Sequence, residues 1–561
     1  MNVPRRAARV AYLAALSLSL SSTATTRARA QANDRASPLG GRSALMGNTG
    51  IALGRDGAAP FSNPATVVGI NDRKLAFSVN FLALQFNQFD NWHQPSSVDP
   101  RFGEVALGDR SISSSRITTV PSTLCLFLSL AALKGVEGAP KDDPTPWKGG
   151  RQKFAVCLAT LESEDLNVPA LSLGAPTAAG TTAQAVSLSR KWNRVQVGPS
   201  YSALVNDKLA LGASLQVAYT TLSFIQDASS ITSTVDGSAV QSSLGASGNG
   251  SSVDLTAILG ATYMLGGVTF GASIQIPSLH LFGNYAAVLH QTLDAETGSA
   301  ATIARGSGGL RAKPPVRLAL GVGKAFERAT LEADVSFNFG YREALATSMQ
   351  VDNTSTVNNV PTTSTFDATY TERALPVVNL AIGGEYFMSP RLSALGGLWT
   401  NLSPFAPLKP EPAPSLGNLV QGRAHRIGLS LGLGSYGDGG ELLLGTQLGY
   451  GWGETIVANL YSVPADWSVV GSSSYSALFI IAGSTNLRAI KSAIEGVGKA
   501  LTLDRAPEPP APEPRATEPT APEPSTPEPS TAEPSTPERP APEPSTPPPS
   551  TPPPSTPPPS K

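Results

Sequence analysis

The residue types that make and break bonds are sparse in this chain. Its four histidines, His93, His280, His290 and His425, lie far apart, and no His-x-x-His or Cys-x-x-Cys spacing gathers ligands for a metal. No Gly-x-Ser-x-Gly elbow offers a nucleophile. The sequence therefore predicts no enzyme, no cofactor and no metal. The two cysteines, Cys125 and Cys157, fall at matching distances from the connection 132–150. That spacing allows them to be cross-strand neighbours, either disulfide-bonded in an oxidising compartment or left as two buried thiols. The informative charges are Lys153, Arg194, Asp254, Arg317, Glu332, Asp334, Glu385 and Arg426. Each alternates with apolar neighbours, so each points to the face opposite them. Their chemistry is binding: hydrogen bonds to another part of the chain, or, for Arg317 and Arg426, capture of a carboxylate head group.

Those charges sit on strands. Leu209, Leu211, Leu215, Val217 and Tyr219 alternate with Ala210, Gly212, Ser214, Gln216 and Thr220. The same period of two runs through 268–276, 331–340 and 426–433. Runs of about ten to fourteen residues are longer than ordinary sheet strands and suit a tilted bilayer crossing. Estimated strands are 73–84, 117–131, 151–162, 192–205, 208–223, 252–265, 267–278, 314–326, 328–342, 374–387, 391–403, 423–436, 440–456 and 473–486. The connections alternate: brief at Asn206-Asp207, Gly266, Glu327 and Ser389-Pro390, and long and rich in Ser, Thr and Gly at 85–116, 223–251, 279–313 and 342–374. The segment 132–150 is one long connection on the brief side. This is the pattern of an all-β, 14-stranded antiparallel transmembrane barrel whose apolar face meets lipid. An even strand count puts both termini on the periplasmic side. Tyr263, Tyr341, Tyr386, Tyr450 and Trp452 lie near strand ends, where interfacial aromatics belong.

Composition agrees. Only 15% of the 561 residues are charged and the net charge is −1, which favours neither nucleic acid nor an anionic surface. Residues 1–32 read as a secretory signal, with Arg5, Arg6 and Arg9 before an apolar run and Ala-x-Ala at its end. Residues 33–72 are rich in Gly and Ala and read as a compact set of turns, a plug before the barrel at 73–486. Residues 487–505 carry Ile490, Ile494, Val497 and Leu501 at helical spacing and read as a short amphipathic helix. Residues 506–561 are Pro, Glu, Ser and Thr in near repeats, a disordered or polyproline II tail long enough to contact the periplasm or cell wall.

The plug segment carries a resemblance. Gly41-Arg42-Ser43-Ala44-Leu45-Met46-Gly47, then Gly50-Ile51-Ala52-Leu53, Asp56 and Asn63-Pro64-Ala65, resembles the N-terminal hatch of the FadL-type outer-membrane transporters. The residue after Ala65 is Thr66 where the family usually has Gly, and Ser62 replaces the usual aromatic. The resemblance implies passive uptake of hydrophobic molecules, such as long-chain fatty acids, across the outer membrane of a Gram-negative bacterium. The hatch would gate the lumen through Gly47, Gly50, Asn63, Pro64 and Ala65. A ligand tail would lie against Leu45, Met46 and Phe61, with Arg317 or Arg426 at its head. The partners implied are a fatty acid-like small molecule and membrane lipid. The other open reading is a scaffold barrel that holds surface or secretion proteins, with the tail as a tether.

Overall fold

The computed structural model describes residues 38–70, 74–90, 111–129, 151–177, 180–234, 237–295, 298–312, 316–357, 359–408, 423–437, 440–459 and 466–486. The expected signal, the 132–150 connection, the 487–505 helix, the tail and His93 lie outside them. Within the plug are two single-turn helices, α1 (Arg42–Leu45) and α2 (Ala59–Ser62), and a 3-10 helix, Pro64–Gly69. Eighteen strands follow: β1 (Lys74–Phe89), β2 (Ile112–Ser129), β3 (Gln152–Thr177), β4 (Gly180–Asn206), β5 (Leu209–Thr234), β6 (Ala239–Leu265), β7 (Val268–Gln275), β8 (Leu279–Ala295), β9 (Gly298–Leu310), β10 (Arg317–Ala325), β11 (Ala329–Asn338), β12 (Tyr341–Val357), β13 (Val360–Ala374), β14 (Val377–Ser389), β15 (Leu392–Asn401), β16 (Arg423–Gly437), β17 (Gly440–Asn459) and β18 (Asp466–Asn486).

Fourteen of these close a barrel. Antiparallel pairs run from β1 through β7, then to β10, β11 and β14 to β18, and β18 pairs back onto β1 from Lys74↔Asn486 to Phe89↔Ser472. Closure leaves the barrel wall no open edge, which a lipid solvent demands. The outer face is apolar: Leu211, Leu215, Tyr219, Phe270, Leu331, Leu429 and Leu433 are exposed there. Their neighbours Ser214, Gln216, Thr220, Glu332 and Ser430 are buried in the lumen. Such inversion of the usual soluble pattern is stable only where the surrounding solvent is hydrocarbon. Tyr263, Tyr386, Tyr450 and Trp452 are also exposed on that outer face.

Four strands lie outside the expected fourteen. The lower half of β6 pairs with β7, but its upper half, from Val240 to Leu255, pairs with β8. From there β8 pairs with β9, β9 with β12 and β12 with β13. The segments 279–313 and 342–374, expected as long loops, are thus largely a side sheet that forks from the barrel at β6. Segment 223–251 likewise continues β5 and β6 as a hairpin. Tyr285 and Ala287 of β8, Leu310 of β9 and Val351 of β12 pack into an apolar cluster, and backbone bonding sustains the Ser- and Thr-rich remainder.

Candidate functional site: the plugged lumen

The plug can approach the wall because the wall offers glycine. Gly212, Gly260, Gly271, Gly321, Gly383, Gly397, Gly432 and Gly445 all face it. A Cβ at Gly383 would overlap the Met46 carbonyl, and one at Gly271 the Ile51 carbonyl. Neighbouring strands present these residues at one level, with Gly212 opposite Gly260, Gly271 opposite Gly321, Gly383 opposite Gly397 and Gly432 opposite Gly445. Gly47 has φ +71° and a neighbour at φ +65°, Asn48, so the turn it makes needs a residue free of a Cβ. Gly50 has φ +144° and points at Ser43 Oγ.

Lumenal carboxylates fasten the plug at this level. Glu332 Oε1 accepts from the N–H groups of Ala52 (2.7 Å) and Leu53 (2.9 Å). Asp334 Oδ2 accepts from those of Gly50 (2.8 Å) and Ile51 (3.1 Å). Glu385 accepts from Arg42 Nε at 2.7 Å, from Ser393 Oγ at 2.7 Å and from the Tyr436 hydroxyl. On the far side Gln447 Nε2 donates to Ala44 O at 2.6 Å. Charge-assisted bonds of this kind contribute about 1.5–3 kcal/mol each. Within the plug, Asp56 accepts from Ser43 N–H (2.7 Å), Ser43 Oγ (2.9 Å) and Ala58 N–H (3.0 Å). Burial pushes its carboxyl above the usual carboxylate range, and these donors pull the other way.

The residues singled out from sequence separate into two groups. Asn63 is fully buried: its Oδ1 caps Ala65 N–H at 3.1 Å, and its Nδ2 donates to Ile51 O (2.7 Å) and to Ala261 O of β6 (3.1 Å). Pro64 and Ala65 sit against Gly212 and Gly260. Leu45 and Met46 pack with Leu395, Leu443 and Ile480, and Phe61 with Val67, Ile70 and Phe127. None of the three lines the large cavity, whereas Arg317 and Arg426 do.

That cavity, about 230 Å³, lies in the lumen where Asn48 and Ile51 of the plug reach it. Its lumen-facing charges are Arg190, Arg317, Arg426, Glu164 and Asp334. Arg426 Nη2 meets Glu164 Oε1 at 2.8 Å, and Asp334 is engaged with the plug. Arg190 meets only neutral oxygens, Thr455 Oγ1 (2.7 Å) and Ile456 O (2.9 Å). Sequence reading passed over Arg190 and Trp399, which both line the space. Past the cavity lies an apolar cluster built from β4 and β5, with Leu188, Trp192, Leu222 and Phe224, and from the side sheet, with Tyr285, Leu310 and Val351. There Arg194 pairs with Glu162 at 2.5 Å, and His280 Nδ1 meets Asp254 Oδ1 at 3.0 Å. Lys153 is buried in the wall. His290 lies 4.0 Å from Asp227, and His425 Nδ1 accepts from Ser403 N–H at 3.2 Å, so the three described histidines share no site.

Cys125 and Cys157 occupy directly paired positions on β2 and β3 and are joined by a disulfide. Cys125 Sγ also approaches Gly57 O of the plug at 3.4 Å. With the two cysteines 32 positions apart in sequence, the link constrains the unfolded chain by about 3–4 kcal/mol. Cys125→Ala/Cys157→Ala is expected to lower the urea midpoint of barrel unfolding, read by gel mobility without boiling. An unchanged midpoint with and without reductant would show that the link adds no stability.

No protein-family model matches this chain, and no curated protein matches it. Solved structures do. A Pseudomonas aeruginosa FadL homologue is similar at 14% identity and TM-score 0.47, covering 81% of this chain and 99% of that one. The Pseudomonas putida toluene transporter TodX is similar at 15% identity and TM-score 0.46, covering 80% and 98%. The Ralstonia pickettii toluene transporter TbuX is similar at 16% identity and TM-score 0.44, covering 80% and 98%. One of these structures is thus described as a FadL homologue and two as toluene transporters.

Proposed function

We propose that this protein is a passive outer-membrane channel for hydrophobic solutes, gated by rearrangement of the 38–70 plug. The carrying observation is a stack of three layers: an apolar cluster, then a mixed polar and apolar cavity, then a plug held by a few lumenal side chains. A solute can partition into the first, rest in the second and pass once the third shifts. No energy source is required, because the solute moves down its gradient. The short turns and both termini face the periplasm in this reading, and the side sheet stands outside the cell. Long-chain fatty acids are one solute class that the hatch resemblance implies.

Uptake of oleate and of toluene into liposomes containing the purified full-length protein tests the proposal. Asn63→Ala removes a cap and two donors, a loosening of about 1–2 kcal/mol. Since 1.4 kcal/mol is tenfold, uptake is expected to rise about tenfold where plug opening limits it. Deletion of 506–561 is expected to leave it unchanged. Uptake of neither solute above protein-free liposomes would overturn the channel reading.

A further inference from the structure

The cavity has a second set of features that the uptake reading leaves unused. Trp399 lies on the lumen face of β15, opposite Gly428 of β16, which in turn pairs with Gly449 of β17. A Cβ at Gly428 would overlap the indole, and one at Gly449 would touch it at 3.5 Å. The two missing side chains let the ring lie across three strands as a flat platform. Among the described residues its buried Nε1 has no partner, and neither has Nδ2 of Asn379, which also lines the cavity. Buried donors without acceptors cost about 1–3 kcal/mol each, so an arriving acceptor is favoured there.

Charge points the same way. Arg426 stands two positions from Gly428 on β16 and reaches Glu164 of β3. On β4, Arg190 is opposite Leu166, two positions along β3 from Glu164. Among the described residues Arg426 thus has a carboxylate partner and Arg190 has none. Arg190 is only 7% exposed, and among the described residues its Nε has no partner and its other nitrogens meet neutral oxygens. A buried cation without a counter-charge is costly and marks a place for an anion. A cavity of about 150 Å³ holds one benzene ring, so the 230 Å³ observed has room for a ring with a short substituent.

Resting on the uptake reading, we infer that this cavity binds a compact aromatic carboxylate, its ring on Trp399 and its charge balanced by Arg190 and Arg426. Aromatic stacking and an Arg–carboxylate bond act at opposite ends of such a ligand. The plug residues Asn48 and Ile51 close the space beneath it.

The test is equilibrium binding of 4-methylbenzoate, toluene and palmitate to detergent-purified full-length protein, read by calorimetry. Saturable binding of 4-methylbenzoate is expected. Arg190→Gln is expected to weaken it about tenfold or more and toluene binding much less, and Trp399→Leu to weaken both, with Trp399→Phe in between. Gel mobility without boiling identifies folded variants. If Arg190→Gln does not fold, Arg426→Gln takes its place and is expected to weaken 4-methylbenzoate more than toluene. Equal 4-methylbenzoate affinity in wild type and the folded variants overturns the inference. Binding of palmitate without 4-methylbenzoate overturns the ligand class and leaves the channel standing. Binding of none, together with no liposome uptake, removes both.

Discussion

Gly383→Val is expected to convert the closed barrel into a leaking one. The valine side chain would enter space held by the Met46 carbonyl, which is backbone and cannot swing aside as a side chain does. Gly397, directly across on β15, is pressed on the same turn, with its would-be Cβ 2.5 Å from Gly47 N, so the plug has no slack to take up there. Overpacking of this kind costs about 1–3 kcal/mol, occasionally more, and the two ways to relieve it differ in stiffness. The wall is a closed hydrogen-bonded ladder, whereas the plug is a set of single turns. The plug gives way, and planar-bilayer conductance should rise from near baseline to discrete open-channel steps. The outer face and the ladder are untouched, so gel mobility should stay that of a folded barrel. A folded variant with wild-type conductance would show that the plug does not seal the lumen at this level. Gly437→Ala is the control, since its side chain would meet nothing closer than 3.9 Å.

Removing the two β11 carboxylates should have a comparable effect by another route. In Glu332→Ala/Asp334→Ala, the N–H groups of Gly50, Ile51, Ala52 and Leu53 lose their acceptors together. At about 1–3 kcal/mol for each buried donor the loss is several kcal/mol, and water entering from the cavity brings it to the lower end. The measurement is hydrogen exchange of the peptide spanning 50–53, expected to lose two or more orders of magnitude in protection. Glu332→Gln keeps an oxygen where Oε1 sits and is expected to retain most protection. If the glutamine variant exchanges as fast as the double alanine variant, charge and not acceptor geometry holds the plug.

These expectations draw on parts of the molecule that differ in how plainly the sequence displays them. The barrel was legible because a wall between lipid and lumen must alternate. Charges on one parity, Glu332 and Asp334 on β11 for example, identify the inner face, since bare charges in lipid cost a few kcal/mol. The side sheet was not legible. Segments such as 354–357 and 360–363 pair through their backbones outside the barrel wall, where no apolar period is required of them. Arg317 and Arg426 could be placed in the lumen by parity alone. Arg190 and Trp399 have the same parity, but their roles come from neighbours in other strands: Gly428 and Gly449 beneath the indole, and neutral oxygens around the guanidinium. The one available signal was a lumen-facing tryptophan among glycine-rich strands. Which plug side chains face the cavity is set by how the turns dock. Asn48 and Ile51 look into it, while Leu45, Met46 and Phe61 are spent against the wall.

The Cys125–Cys157 link bears on the order in which the barrel is made. It joins paired positions of neighbouring strands, so once formed it fixes the β2–β3 register, with Leu124 against Leu158 and Leu126 against Val156. A one-residue slip would turn every side chain of a strand to the wrong face. Thiols oxidise in the export compartment, before a strand meets lipid. The hairpin can thus arrive at the membrane with its inside and outside already decided, as a template on which β1 and β4 align. In a host without a periplasmic thiol oxidant that decision is deferred to the bilayer, where an error is hardest to undo.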